Sequence, residues 1–121
     1  MKEKLDKIFS LYIRLRDCDG AGFGFCVTCG KKIHYKEGHC GHFISRRHLS
    51  TRWDEDNCAL QCVRCNIFDQ GRQYQFSLYL ENKEKGLPEK LLIKSQKTVK
   101  LLKSDYQTLI ELYKKKVKEL Q

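Results

Sequence analysis

The chain has 121 residues, 40% of them hydrophobic, with 24 Lys+Arg against 15 Asp+Glu and a formal net charge of +9. That length predicts a single domain, 1–121, with a core small enough to gain from a metal staple, and the charge points to a polyanionic partner. No apolar run reaches membrane-spanning length, and seven cysteines behind a charged Met1-Lys-Glu-Lys start argue for metal-bound and free thiols in a reducing cytoplasm over a secreted disulfide scaffold.

In chain order, Leu5, Ile8, Phe9, Tyr12 and Arg16 recur at helical spacing and predict an amphipathic helix over 1–17. Asp19-Gly20-Ala21-Gly22-Phe23-Gly24 ends it in turns. Short strands and loops are expected from Phe25 to Asn57, including Ile33-His34-Tyr35 and His42-Phe43-Ile44, with a basic loop from Ser45 to Arg52. A helix is expected from Asn66 to Leu80, weakened or interrupted at Gly71. Gly86-Leu87-Pro88 reads as a stop and a restart, and a C-terminal helical region spans 88–121. Its last helix carries Tyr106, Leu109, Ile110, Tyr113, Val117 and Leu120 on one stripe, behind a capping box at Ser104-Asp-Tyr-Gln107.

Cys26-Val-Thr-Cys29 and Cys62-Val-Arg-Cys65 are two C-x2-C knuckles that enclose all four histidines. Four thiolates at this spacing predict one tetrahedral structural Zn2+, worth roughly 10–16 kcal/mol in apparent terms. Cys18, Cys40 and Cys58 remain as thiols; nothing about the spacing of Cys40 or Cys58 requires either to replace a knuckle cysteine. Within the enclosed segment His42, Asn57 and Asn66 form H-x14-N-x8-N, the spacing of the HNH nucleases with Asn in third position.

Phosphodiester hydrolysis asks for these residue types. A base of near-neutral pKa activates water, the work expected of His42. A divalent ion held by oxygen or imidazole ligands neutralises the phosphate oxygens. Asn66 is a candidate ligand of that ion through its amide oxygen, while Asn57 is expected to pin the loop that orients His42. Arg46, Arg47 and Arg52 fall within seven positions in a stretch without acidic residues, and Arg64 sits inside the second knuckle. These four are the candidate DNA-binding residues, contacting phosphates in a salt-dependent way without reading bases. Trp53 is expected to pack beneath the basic loop, and His34 and His48 to be ordinary exposed residues. A zinc-dependent base deaminase is disfavoured, since the H-x-E and P-C-x2-C signature is absent.

Phe9-x2-Tyr12-Ile-Arg-Leu-Arg-Asp17, Cys26-x2-Cys29-Gly30, His39-x-Gly41-His42-Phe43, Arg52-Trp53-Asp54-Glu55-x-Asn57 and Gln61-Cys62-x2-Cys65-Asn66 together resemble the NinG (Rap) recombination proteins of lambdoid phages. The resemblance is dense from Phe9 to Gly71. It implies an α+β fold in which a zinc-bound ββα-metal core of treble-clef-like, HNH type, over 25–80, is flanked by N- and C-terminal helices. It also implies a phage-encoded endonuclease in the bacterial cytoplasm that cuts branched double-stranded DNA such as Holliday junctions and D-loops, with Mg2+ or Mn2+ as catalytic ion. Similar junction-resolving enzymes carry Asp or His immediately before the base, where this chain has Gly41. His39 and, after it, Asp54 are the candidate replacement ligands. A zinc-stabilised DNA-binding accessory protein without catalysis is the rival reading. Symmetric resolution of a junction needs two active sites, so a homodimer through the C-terminal helix is a further expectation, with an intramolecular helical layer as the alternative use of its stripe.

Overall fold

Leu5, Phe9 and Ile13 recur every fourth residue, and these are the positions that helix α1 (Lys2–Arg16) buries. The chain is described over residues 1–121 in a computed structural model. Arg14 and Arg16 fall in the last turn of α1 and complement its dipole.

Strands β1 (Phe23–Phe25) and β2 (Lys32–His34) form an antiparallel hairpin with Gly24 opposite Ile33. Its loop is the first knuckle, closed by the Gly30 N–H on the Cys26 carbonyl at 2.9 Å and the Cys26 N–H on the Lys31 carbonyl at 2.8 Å. Strands β3 (His39–His42) and β4 (Cys58–Gln61) form a second antiparallel pair, with His39 opposite Gln61 and His42 opposite Cys58. The strand expected over His42–Ile44 therefore lies earlier, and His42 is its last residue. Beyond it the Phe43 N–H goes to the Asn57 carbonyl at 2.8 Å, which turns the chain out of the sheet. The basic loop contains one helical turn, α2 (Leu49–Arg52), followed by a 3-10 turn at Glu55–Asn57.

The free edge of β4 is occupied by groups that are not a strand. The Arg16 guanidinium donates to the Cys58 carbonyl at 2.8 Å, the Asp17 carboxylate accepts the Leu60 N–H at 2.8 Å, and the Val27 N–H donates to the Leu60 carbonyl at 2.9 Å.

The helix expected over Asn66–Leu80 is two segments. A π-helical turn covers Arg64–Phe68, and α3 covers Gln73–Lys83. Between them Gln70, Gly71 and Arg72 all have positive φ, at 54°, 86° and 47°. Left-handed residues cannot continue a right-handed helix, and two of these three carry side chains that disfavour the conformation. The turn is held from both sides: the Gly71 N–H donates to the Cys65 carbonyl at 2.7 Å, and the Gly71 carbonyl accepts Gln61 Nε2 at 2.8 Å.

Helix α4 (Leu87–Ser95) starts with Pro88 in its first turn and buries Leu87 and Leu91 against Phe76, Leu80 and Ala59. Helix α5 (Lys103–Leu120) begins one residue before Ser104. The Asp105 carboxylate accepts the Leu102 N–H at 2.8 Å, so the cap is half of a capping box, because leucine offers no acceptor in return. Tyr106, Ile110, Tyr113 and Val117 are buried, and the first three join Leu5, Phe9, Ile13 and Cys58 in one cluster. The Phe9 and Tyr113 rings meet edge-on at 4.9 Å. Each buried aromatic or large aliphatic side chain in this layer contributes roughly 1.5–3 kcal/mol. Of the two uses expected for this stripe, Tyr106, Ile110, Tyr113 and Val117 serve the intramolecular layer, while Leu120 at its end stays exposed. Glu55 ties the layer to the core, accepting from Tyr12 Oη at 3.1 Å, Tyr113 Oη at 3.0 Å and Lys116 Nζ at 2.8 Å. No helix is long and apolar enough to cross a membrane.

Candidate metal centre and active-site cleft

The two knuckles converge although they come from different elements, the first from the β1–β2 loop and the second from the end of β4 and the start of the π-turn. The Sγ atoms of Cys26, Cys29, Cys62 and Cys65 all lie within 4.8 Å of one another. Backbone N–H groups point at the sulfurs, Cys62 N–H to Cys26 Sγ at 3.3 Å and Cys65 N–H to Cys62 Sγ at 3.5 Å.

The thiols differ. Burial acts to raise Cys26, but hydrogen bonds from the Thr28 hydroxyl and the Cys62 N–H outweigh it and bring it down to about 6. Burial, with hydrogen bonding to Cys62 and Cys29, pushes Cys65 up to about 12. Four sulfurs this close cannot all ionise unaided, and a divalent soft cation is the group that lets them do so. The donor set fits one tetrahedral Zn2+ held by Cys26, Cys29, Cys62 and Cys65.

Beside this centre lies an open polar cleft of about 590 Å³, walled by β3, by the face of α1 carrying Asp6, Ser10 and Arg14, and by Asn66 with the left-handed turn. His39 and His42 come from β3 and Arg46 from the loop after it. His42 Nε2 sits 2.9 Å from the Arg52 carbonyl, and a donated N–H in that bond leaves Nδ1 with its lone pair. Burial lowers the His42 pKa below its ordinary value of 6.5, partly offset by the Arg52 carbonyl bond. The imidazole is therefore neutral at physiological pH.

Asn57 is fully buried at the root of the loop. Its Oδ1 accepts the Ile44 N–H at 2.8 Å, and its Nδ2 donates to the Ile44 and Thr51 carbonyls at 3.1 and 3.0 Å. The side chain so ties both ends of the segment that presents the Arg52 carbonyl to His42. Across the cleft, Asn66 Nδ2 lies 3.0 Å from His39 Nδ1. Exchanging the amide's O and N would aim Oδ1 the same way.

Several candidate residues fall elsewhere. Asp54 does not reach the cleft: its carboxylate accepts Lys94 Nζ at 2.6 Å and the Asp56 N–H at 2.9 Å, capping the 3-10 turn. Arg52 is not free for phosphate. Its side chain is 17% exposed and donates to both Asp6 carboxylate oxygens, with Nε at 3.0 Å. Arg46 lines the cleft at 60% exposure, 3.7 Å from Asp6. Arg47 is exposed on the loop, outside the cleft wall. Arg64 is 83% exposed, also outside it, and faces Asp69 at 3.9 Å. Trp53 packs edge-on against Tyr106 at 5.6 Å and donates Nε1–H to Asp6 at 2.9 Å.

Gly41 holds no ligand for a packing reason. A Cβ there would collide with the side chain of Gln61, whose Oε1 is buried without a hydrogen-bond partner while its amide nitrogen clamps Thr28 and Gly71.

The carboxylate of the cleft is Asp6, which motif reasoning passed over. Burial would raise its pKa, but hydrogen bonding and charge from Arg52, with Trp53 and Arg46, hold it below 3.8. A signal was present: Asp6, Ser10 and Arg14 repeat every fourth residue, one position after Leu5, Phe9 and Ile13, so a polar line runs beside the apolar one on the same helix.

No match was found among curated proteins or among solved structures. The family model described as the bacteriophage lambda NinG protein matches residues 1–121. With that match over its whole length, the chain belongs to the NinG family.

Proposed function

We propose that the chain is a divalent-metal-dependent endonuclease for branched DNA recombination intermediates, Holliday junctions and D-loops, working from the cytoplasm of the phage-infected bacterium. The carrying observation is His42: an imidazole on the cleft wall, held through Nε2 by the Arg52 carbonyl, with burial favouring its neutral form. The sequence of β3, β4 and π-turn is in keeping with a ββα-metal core of HNH type, with the zinc cluster as its clamp.

In this reading a water in the cleft gives its proton to His42 Nδ1 as its oxygen attacks phosphorus in line, and the bond to the departing sugar oxygen breaks on the opposite side. Arg46 offsets charge on the non-bridging oxygens. Asn57 acts through the loop, holding the Arg52 carbonyl on which the His42 tautomer depends. Asn66 and His39 would hold the catalytic ion, together with phosphate oxygens of the DNA. The pair holds no carboxylate and includes an imidazole, which suits Mn2+ better than the carboxylate-preferring Mg2+. The ion supplies charge neutralisation at the phosphate.

The test compares wild type with His42→Ala on a four-way junction and on linear duplex, in Mg2+ and in Mn2+. Cleavage restricted to the junction, lowered by about 10²–10⁴-fold in the variant at equal zinc content, is expected. Equal cleavage by both proteins removes His42 from the mechanism. The second reading, a zinc-stabilised DNA-binding accessory protein, is favoured by one observation: Asp6, the carboxylate of the cleft, is already engaged by Arg52 and Trp53. Junction binding by wild type without cleavage in either metal supports it.

A further inference from the structure

Outside the four-sulfur cluster, a second set of soft ligands stands behind the cleft. The register of β3 and β4 sets His42 opposite Cys58, and Cys40, two residues before His42, shares its face of the sheet. The sulfurs of Cys40 and Cys58 and one ring nitrogen of His42 lie within 4.8 Å of one another.

Cys58 is 2% exposed in the core beside Phe9, whereas Cys40 and His42 are half-buried and line the cleft. Three ligands thus face a position closed on the core side and open on the cleft side, the layout of a tetrahedral site whose fourth ligand is exchangeable. An independent feature points the same way. Metal-binding imidazoles donate their other ring N–H to a carbonyl or carboxylate, and His42 has that partner in the Arg52 carbonyl at 2.9 Å.

We propose that Cys40, Cys58 and His42 form a second metal site, selective for a thiophilic ion of the zinc class, and that filling it withdraws His42 from the chemistry of the cleft. Two sulfurs and an imidazole disfavour Mg2+, and Mn2+ stands lowest in the divalent affinity order, so the ion of catalysis competes poorly with zinc for this place. Binding releases the two thiol protons to solvent and occupies the lone pair of the His42 ring nitrogen that is not donated to the Arg52 carbonyl. The inhibitory half of the proposal rests on His42 being the base. The existence of the site does not.

The full chain, stripped of metal and kept reduced, is titrated with Co2+ and then Zn2+, following sulfur-to-cobalt charge-transfer absorption and bound metal. The four-thiolate cluster fills first, and a second equivalent follows. In Cys40→Ser, and separately in Cys58→Ser, the first equivalent binds with an unaltered spectrum, which reports that the knuckles still fold, and the second is lost. A single equivalent in wild type, or two in both variants, overturns the site.

In the junction assay with Mn2+, the second zinc equivalent suppresses cleavage by wild type. The zinc concentration that halves the rate rises by at least about tenfold in Cys40→Ser. Cleavage that persists with the second site filled overturns the inhibitory role. Two equivalents bound by a wild type that cuts no junction in any metal uphold the site and overturn the nuclease reading, and with it the inhibitory role.

Discussion

The region around the knuckles and the layer formed by α1 and α5 are cores of opposite kinds. The first buries Cys26, Cys62 and Cys65 with only Ile33 and Leu60 as large aliphatics. The second buries Leu5, Phe9, Ile13, Tyr106, Ile110 and Tyr113, interlocked ring against ring. Sulfur atoms that repel one another as thiolates hold together only around a cation, whereas the helical layer coheres by excluding water. The cleft lies on the seam, with His39 and Asn66 on the sulfur side and Asp6, Ser10 and Arg14 on the helical side. One wall of the candidate active site therefore rests on a four-cysteine cluster fit to hold a metal such as zinc, and the other on packing and charge.

Metal removal should test this division most severely. Chelation removes about 10–16 kcal/mol of apparent stabilisation from the knuckle region, so amide NMR dispersion over residues 23–72 is expected to collapse while part of the helical circular dichroism survives. Loss of both signals in a single step would make the two regions one cooperative unit. Next in size, Phe9→Ala should cost about 3–5 kcal/mol in denaturant unfolding and leave zinc stoichiometry unchanged; a parallel fall in zinc affinity would erase the distinction. Asp6→Asn is expected to cost about 1–3 kcal/mol by weakening the bonds to Arg52. On the proposed nuclease reading it should also slow cleavage, because the Arg52 carbonyl bonded to His42 loses its anchor.

The smallest effect is a pH dependence. Asp6 and Glu55 are held below their ordinary values of 3.8 and 4.5, each by bonds and charge that outweigh burial. Their contribution is complete above those values and is lost as pH falls through the lower folded-state pKa. Acid should therefore loosen the helical layer below pH 4, and the Asp6→Asn/Glu55→Gln double variant should show a flatter acid limb. The proposed cleavage should carry its own pH dependence through His42. Its lowered pKa puts the acid limb of the rate profile below 6.5, and a limb above that value would point to another base.

What could be read in the sequence was what is local. C-x2-C spacing is a property of a single turn, so the four-cysteine cluster was legible, and the four-residue repeat of α1 declared its helix. Ligands for a cation on the cleft were not: whether a carboxylate is free depends on partners far along the chain. Asp54 is taken by Lys94 and Asp6 by Arg52, pairs separated by 40 and 46 positions. Arg52 looked like a phosphate contact for the same reason, its partner being on another element. The break after Phe68 was legible only in part, at Gly71, because the left-handed conformations of Gln70 and Arg72 are imposed by the bonds of Gly71 to Cys65 and Gln61.

Arg16, Asp17 and Val27 bear on a hazard that has nothing to do with catalysis. A sheet of only two strands ordinarily offers a free row of donors and acceptors to any extended peptide, its own copies included. Along β4 that row is already answered by one guanidinium, one carboxylate and one backbone amide. These three groups imitate a third strand without being one. The longer of the two sheets is thereby closed to fibril-like growth along β4, and Asp17→Ala, which leaves the Leu60 N–H unanswered, is where that protection would first fail.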